Sequence, residues 1–578
     1  MRFSPFLLAS FLALTSSRTS AAPHISSLSS LGKRCTNSAS DRACWGDYDL
    51  STDYYTTVPD TGVTVEVYLE LVNTTAALDG VSRDVLLVNG TFPGPTIIAN
   101  WGDTVGSIPF INPWNGYLLS KVVHLYNGLT NNGTGIHFHG IRQNFTTQND
   151  GVPSVTQCPL APGESITYTW RATQYGHTWY HSHFALQAWE GVLGGIIING
   201  PATSNYDEDL GVLFLNDWNH ETFSALYYDA EVNGPPTLDN GLINGTNVYG
   251  DLGSRFNMTF TAGSSYRIRL VNGAIDTHFK FMIDDHNLTV IAMDLVPIVS
   301  YSTQVLSIGM GQRYDIIVNA TETSGNYWIR AIPQTACSNN DNSDNIKGIL
   351  KYDSTNTTEP DTSAYSYDDN CDDEDSSDLV PYLSLDASTD TTEDDFAVTV
   401  GKNSDSLFRW YMAGTTFVAE WDDPTLLQIY NNDTDYTTSS HVIELDTANE
   451  WVYFIIETTG AVPHPIHLHG HDFYLLGTGT GTYDSSTANI TLTNPPRRDV
   501  AMLPASGFMV IAFQTDNPGT WLMHCHIGWH TSEGFDLQLV ERYSEISGLI
   551  DYDTLNSTCV AWDSYVSEGD IVQDDSGV

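Results

Sequence analysis

The stretch Trp521-Leu522-Met523-His524-Cys525-His526-Ile527-Gly528-Trp529-His530 constrains this chain more tightly than any other. In extended backbone, alternate side chains face opposite ways. His524 and His526 therefore point to one side of a strand and Cys525 to the other. One strand thus serves two metal sites, joined by a short covalent path through the cysteine and its neighbours. Three further His-x-His pairs occur, at His137/His139, His181/His183 and His467/His469, and each presents two imidazoles on one face.

Four such pairs supply eight imidazoles. That is the complement for three copper ions, with three ligands for each of two and two for the third. Two histidines, a thiolate and a weak or absent axial ligand make a blue-copper electron-transfer centre, and His464, Cys525 and His530 can supply it. Zinc is the chemical rival. Structural zinc, however, closes four-coordinate and usually cysteine-rich sites, whereas this set has a single thiolate.

That thiolate stands out in the cysteine arithmetic. The seven cysteines are Cys35, Cys44, Cys158, Cys337, Cys371, Cys525 and Cys559. An odd count in a secreted chain flags one free functional thiol, and the other six can pair in fifteen ways. Secretion is expected from Arg2, the apolar run Phe6–Leu14 and small Ser20-Ala21-Ala22, a signal peptide over residues 1–22. The run is too short to span a bilayer. Leu31-Gly32-Lys33-Arg34 ends a propeptide over 23–34, so the mature chain starts at Cys35. Sequons at Asn73, Asn132, Asn257, Asn287, Asn432 and Asn489 fit a glycoprotein. Lys and Arg total 22 against 70 Asp and Glu, and 22 − 70 = −48 excludes nucleic-acid binding. The same carboxylate excess gives more self-repulsion near neutrality than in acid.

Short alternating runs such as Val63–Leu69 and Val452–Glu457, separated by Gly, Pro and Asn clusters, predict an all-β protein with few short helices. The 578 residues suffice for several domains. Boundaries fall at Ile198-Asn199-Gly200-Pro201-Ala202 and at the acidic run Asp368–Asp375, read as a solvated linker. The blocks are then 35–200, 201–380 and 381–578. Histidine pairs lie only in the first and third, so the middle block separates or braces them.

The four pairs, together with Val88-Asn89-Gly90-Thr91-Phe92-Pro93-Gly94-Pro95-Thr96-Ile97, resemble the multicopper oxidases, most closely the laccases of filamentous ascomycete fungi. The resemblance runs from Cys35 to Val578. It implies three cupredoxin-like Greek-key β-sandwich domains and four copper ions: one type 1 in the third domain, and a trinuclear cluster of one type 2 and two type 3 ions between the first and third. His464, Cys525 and His530 match the type 1 ligands. His137 and His467 match the type 2 pair. His139, His181 and His526 match one type 3 ion, and His183, His469 and His524 the other. The implied disulfides are Cys35–Cys44, Cys158–Cys559 and Cys337–Cys371. The axial position is Phe535, where these laccases usually have Leu. It offers no donor to stabilise Cu(II), so the potential should stay high.

The resemblance also implies the reaction. A secreted laccase oxidises phenols (diphenols, methoxyphenols) and aromatic amines one electron at a time and reduces O2 to water. It needs no nucleic acid or membrane partner and works as a monomer. Reducing O2 consumes protons, and Asp150 in Asn149-Asp150-Gly151 sits where the family places a carboxylate near the cluster. Many basidiomycete laccases carry another acid at the position of Gly528, so Asp150 must act without it. Asp276 aligns with the acid that accepts a phenol's proton. Pro235, Phe408, Trp410 and Trp529 are expected apolar walls beside His530, and small residues in Thr458–Pro463 suggest an open pocket. The tail Asp575-Ser576-Gly577-Val578 resembles one that these laccases push into a solvent tunnel. His177 and His471 lie beside the pairs without being assigned as ligands, and His278 and His286 read as surface or hydrogen-bonded residues. The rivals are a ferroxidase, which needs acids around His530 and often an anchor, and a copper carrier, which needs no O2 site.

Overall fold

Alternation at period two decides the architecture. Along Val67–Ala76, Leu69 and Leu71 are buried while Tyr68 and Glu70 are exposed, the mark of a strand with one face on a core. The computed structural model describes residues 35–105, 123–389 and 392–569. The expected signal peptide, propeptide and Asp575–Val578 tail lie outside the described residues.

Three strand-rich blocks follow one another, each with two main sheets. In the first, strands Ser165–Tyr168, Val123–Asn127, Val67–Ala76 and Arg83–Val88 form one sheet. Strands Gly94–Asn100, Leu193–Asn199, Gly176–Ser182 and Ile136–His139 form the other. Leu69, Leu71, Ile97, Ile136 and Ile196 interlock between them in one buried cluster. The second and third blocks each pack a six-stranded sheet and a five-stranded one. A parallel pairing recurs in all three blocks: Gly94–Asn100 with Leu193–Asn199, Glu208–Trp218 with Ser265–Asn272, and Thr392–Lys402 with Trp451–Thr458. The chain thus repeats one sandwich plan three times.

The second and third blocks share a continuous apolar core, from Leu213 and Phe279 to Phe454 and Leu537. Leu468 and Met523, neighbours of the expected ligands, are fully buried in it. Truncating either to Ala would cost about 2–5 kcal/mol. The site therefore stands on a rigid floor.

Two features differ from the sequence reading. The acidic run is a solvated linker only in part: Asp368, Asp369, Asp372 and Asp375 are exposed, whereas Asp373 and Glu374 are bound. Asp373 accepts from Met502 N (2.9 Å) and Gln312 Nε2 (2.5 Å) and lies 3.4 Å from Arg498 Nη1. Glu374 accepts from Ser307 N (2.7 Å) and Tyr301 Oη (2.9 Å). Backbone amides and an arginine satisfy these carboxylates, so the run straps the second block to the third. The second difference is Tyr552–Glu568, a helix of 17 residues rather than a short one. Asp551 caps it, and Leu555, Cys559 and Trp562, at helical spacing, bury one face. Disulfides join Cys158 to Cys559, which fastens this helix to the first block, as well as Cys35 to Cys44 and Cys337 to Cys371.

Candidate metal centre

Strand register gathers the histidines. In the first block His181 stands opposite His137, and in the third His467 stands opposite His524. Opposed residues of an antiparallel pair share a face. Each block therefore offers a patch of imidazoles, and the two patches meet. The rings of His137 and His469 stack at 3.9 Å, as do those of His139 and His467. His183 lies 5.1 Å from His524 and 5.2 Å from His469, and His526 lies 5.1 Å from His139. All eight imidazoles thus lie in one buried cluster.

On six of the eight rings, hydrogen bonds fix which nitrogen faces inward. Asp150 lies between two histidines: its carboxylate accepts from His469 Nδ1 at 2.7 Å and lies 3.1 Å from His137 Nδ1. The turn Thr147–Asp150 ends at Gly151, whose φ is 78°. A Cβ there would meet Ile136 O at 1.8 Å, so only glycine lets this turn close on the strand that carries His137. On the other side Asp499 accepts from His139 Nε2 (3.1 Å), and its carbonyl accepts from His467 Nδ1 (2.7 Å). Arg313 holds the Asp499 carboxylate with two bonds of 2.5 Å. Burial pushes the Asp499 carboxyl up to about 7 against the pull of Arg313. His181 donates from Nδ1 to Ser182 O and His524 to Cys525 O, both at 3.0 Å.

On the opposite face of the same strand, Cys525 is the free, buried cysteine among the described residues. Its sulfur lies 3.6 Å from His530 Nδ1 and 3.9 Å from His464 Nδ1. The two imidazole nitrogens are 3.3 Å apart. Carbon encloses this trio. Phe535 packs 5.3 Å from His464, and Trp410 lies 4.3 Å from His530 and 4.8 Å from His464. Burial lowers His464 to about 3 and pushes the Cys525 thiol well up.

These donors fit copper. Nε2 of His137 and His467 and both ring nitrogens of His526 are buried without a protein partner. Groups so placed carry a desolvation cost that a bound cation would relieve. Burial keeps the cluster histidines His139, His181, His183, His467, His469, His524 and His526 below the ordinary imidazole value, in the neutral form that ligation needs. A thiolate with two imidazoles and no hard axial donor suits copper over zinc.

Beside the trio opens a cavity of about 340 Å³, lined by Pro235, Asp276, Phe408, Trp410, Val462 and His530 among others. Asp276 sits on a loop that Asp217 shapes by accepting the backbone N–H groups of Ile275, Asp276 and Thr277 at 2.9–3.1 Å. Burial, with the charge of Asp217 nearby, raises the Asp276 carboxyl well above its ordinary value. Trp529 does not line the cavity. In the helical turn Gly528–Ser532 consecutive side chains diverge, so His530 faces the cavity while Trp529 is fully buried, 6.0 Å from Phe223. Gly528 cannot readily carry an acid, since a Cβ would sit 2.6 Å from both Ile275 and Trp189.

His177 and His471 stand apart from the cluster, paired with Asp315 and Glu541. His278 and His286 are buried, and His286 is hydrogen-bonded to Asp284 O and Tyr352 Oη, each at 2.8 Å. Sequence reasoning missed Asp499, Arg313 and Asp217. The available signal for the first was a charged triplet, Arg497-Arg498-Asp499, running straight into the apolar strand Val500–Leu503. Charge at the mouth of a buried strand needs a buried partner.

Multicopper oxidase family models match residues 70–203, 209–355 and 413–545. Laccase-2 of Botryotinia fuckeliana is 45% identical over 99% of this chain and 98% of its own length. Laccase-1 of the same fungus is 49% identical over 94% of each chain. The solved laccase of Botrytis aclada superposes with a TM-score of 0.89 at 45% identity, covering 94% of this chain and all of its own. A multicopper oxidase that functions in iron import is more distant, with a TM-score of 0.75 at 26% identity over 89% of this chain and 97% of its own. With its histidine cluster, its cysteine trio and these relatives, the chain belongs to the multicopper oxidases, within them to the ascomycete-type fungal laccases.

Proposed function

We propose that this laccase is secreted, acts as a monomer and divides its chemistry between the two sites as follows. His464, Cys525 and His530 would hold the type 1 copper. His137 and His467 would hold the type 2 ion. His139, His181 and His526 would hold one type 3 ion, and His183, His469 and His524 the other. Bound copper would supply one-electron oxidation at the mononuclear centre and four-electron reduction of O2 to water at the cluster. The domains would be 35–200, 201–380 and 381–578, preceded by a signal peptide (1–22) and a propeptide (23–34). Three disulfides beside a single free thiol fit an oxidising compartment. Among the described residues no helix is long and apolar enough to cross a membrane.

One observation carries the reading. The Cys525 sulfur lies beside His464 and His530, while its sequence neighbours His524 and His526 belong to the eight-histidine cluster. A covalent path of very few bonds therefore links the substrate side to the O2 side.

The surrounding residues handle substrate and protons. Phe408, Trp410 and Pro235 clasp an aromatic ring, and the edge of His530 lies at the cavity wall. A phenol loses a proton with its electron, and Asp276 accepts it, which lowers the barrier. Asp150, bonded to two cluster histidines, orients their rings and stands ready to pass protons inward. Phe535 offers carbon alone, so the mononuclear potential stays high.

Oxygen uptake with 2,6-dimethoxyphenol and with Fe(II) tests this. Brisk uptake with the phenol and little with Fe(II) is the expected result. The reverse order would move the chain to the ferroxidases, and no uptake with either would leave a copper carrier.

A further inference from the structure

Trp410 is the wall between the cavity and the cysteine trio; strand Phe408–Met412, paired with Thr392–Lys402, carries it, and one residue bonds both its main chain and its indole. Its main-chain N–H donates to Glu533 O at 2.9 Å, and its indole N–H donates to Glu533 Oε2 at 3.1 Å. Glu533 is itself buried. It closes the helical turn Gly528–Ser532, where its N–H bonds back to the carbonyls of His530 and Trp529 at 3.1 Å. The turn that presents His530 and the indole that covers it are thereby tied together. Two of the other buried tryptophans, Trp101 and Trp521, donate their indole N–H to backbone carbonyls (Thr173 O at 2.9 Å, Asn517 O at 2.8 Å), whereas Trp410 donates to a carboxylate. Nε1 of Trp170, Trp179, Trp189, Trp218 and Trp529 has no hydrogen-bond partner, so packing alone seats those rings. Packing does not suffice for Trp410, because one side of it borders an open cavity.

We propose that Glu533 is a positioning residue for this reaction, one that holds the Trp410 indole in place as substrate wall and as cover of the mononuclear centre. This rests on the assignment of His464, Cys525 and His530 to the type 1 copper. The indole lies stacked 5.2 Å from Phe535 at an interplanar angle of 18°, so its tilt is shared with the axial carbon wall. Without an acceptor at position 533 the indole is free to swing toward the cavity. The aromatic slot loses its shape, and the imidazoles of His530 and His464 lose their apolar cover.

The test uses copper-loaded full-length enzyme and four variants: E533Q, E533L, W410F and E533L/W410F. Gln keeps an oxygen that accepts the indole N–H, so E533Q should hold KM for 2,6-dimethoxyphenol within about twofold of the parent. E533L should raise that KM about tenfold, with a smaller change in kcat, and should alter the electron paramagnetic resonance spectrum of the mononuclear copper. W410F has no N–H to donate and should show a similar rise. In the double variant the two effects should not add, since both remove one interaction. Parent-like KM and spectrum in E533L would overturn the proposal, as would effects that add in full. If E533L does not fold, W410F with parent-like KM overturns it alone. If the loaded parent shows neither a mononuclear copper signal nor phenol oxidation, the ligand assignment has failed instead.

Discussion

The two buried sites are built from opposite materials. Around the eight-histidine cluster, Asp150, Asp499 and backbone carbonyls fix at least one nitrogen of His137, His139, His181, His467, His469 and His524. Around the cysteine trio, Trp410 and Phe535 enclose the donors in carbon, and burial is the cause that lowers His464. The difference follows from what each site must move. A cluster that takes protons as well as electrons needs carboxylates within reach. A centre that passes single electrons needs stiffness and little polar rearrangement on changing charge. The strand that carries Cys525 serves both because its two faces differ.

Four experiments break or sharpen that contrast. Replacing Cys525 by Ser removes the one sulfur common to the two sites. Phenol oxidation should fall by about a thousandfold or more and the blue absorption should vanish, as spectra and oxygen uptake would report. Asp150→Asn should slow O2 consumption on the order of a hundredfold while leaving the blue band intact, which would separate the proton site from the electron site. If the blue band changes too, the sites are not independent in the way described.

Asp276→Asn should slow phenols by about tenfold and spare a donor that loses no proton, such as ferrocyanide. Because burial and Asp217 raise the Asp276 carboxyl, the parent should gain phenol activity as pH rises through that value, and the variant should lose this rise. A rate–pH profile for both donors checks it.

The smallest effect is on stability. Asp217, Asp276 and Glu533, the last at about 8, have folded values raised mainly by burial. At these three groups the folded chain binds more protons than the unfolded one above about pH 4, and at Glu533 up to about pH 8. Their contribution is complete below the unfolded carboxylate value and is lost as pH rises through the folded ones. Asp315, which Arg267 and His177 hold far below that range against burial, stays ionised throughout the window. Between pH 5 and pH 8 the parent's apparent Tm should therefore fall relative to that of Glu533→Gln, which has no titrating carboxyl there and shares the opposite trend of the buried histidines. A parent Tm that rises relative to the variant's over this interval would contradict the sign given for Glu533.

What could be read beforehand follows from range. The His-x-His spacing is a local pattern, and extended backbone converts it directly into imidazoles on one face. The parts missed depend on partners far away in sequence. Asp499 meets Arg313 across 186 residues and Asp373 meets Met502 across 129, so nothing near Asp373 announces its role, and near Asp499 only the charged triplet at the mouth of a buried strand hints at one. Trp529 is expected in the cavity wall only through the resemblance, and the helical turn that presents His530 sends the neighbouring side chain in a different direction. The 17-residue helix was legible in the spacing of Leu555, Cys559 and Trp562, but the weight of strand signals hid it.

The central claim is that one cysteine couples an electron-collecting site to an oxygen-consuming one. Anaerobic reduction of the fully loaded protein, followed by a pulse of O2, tests it directly. The account predicts that four electrons enter each chain, as four coppers require, and that all four leave on one O2 as water with return of the blue colour. Uptake of a single electron, or release of hydrogen peroxide in step with the colour, would contradict it.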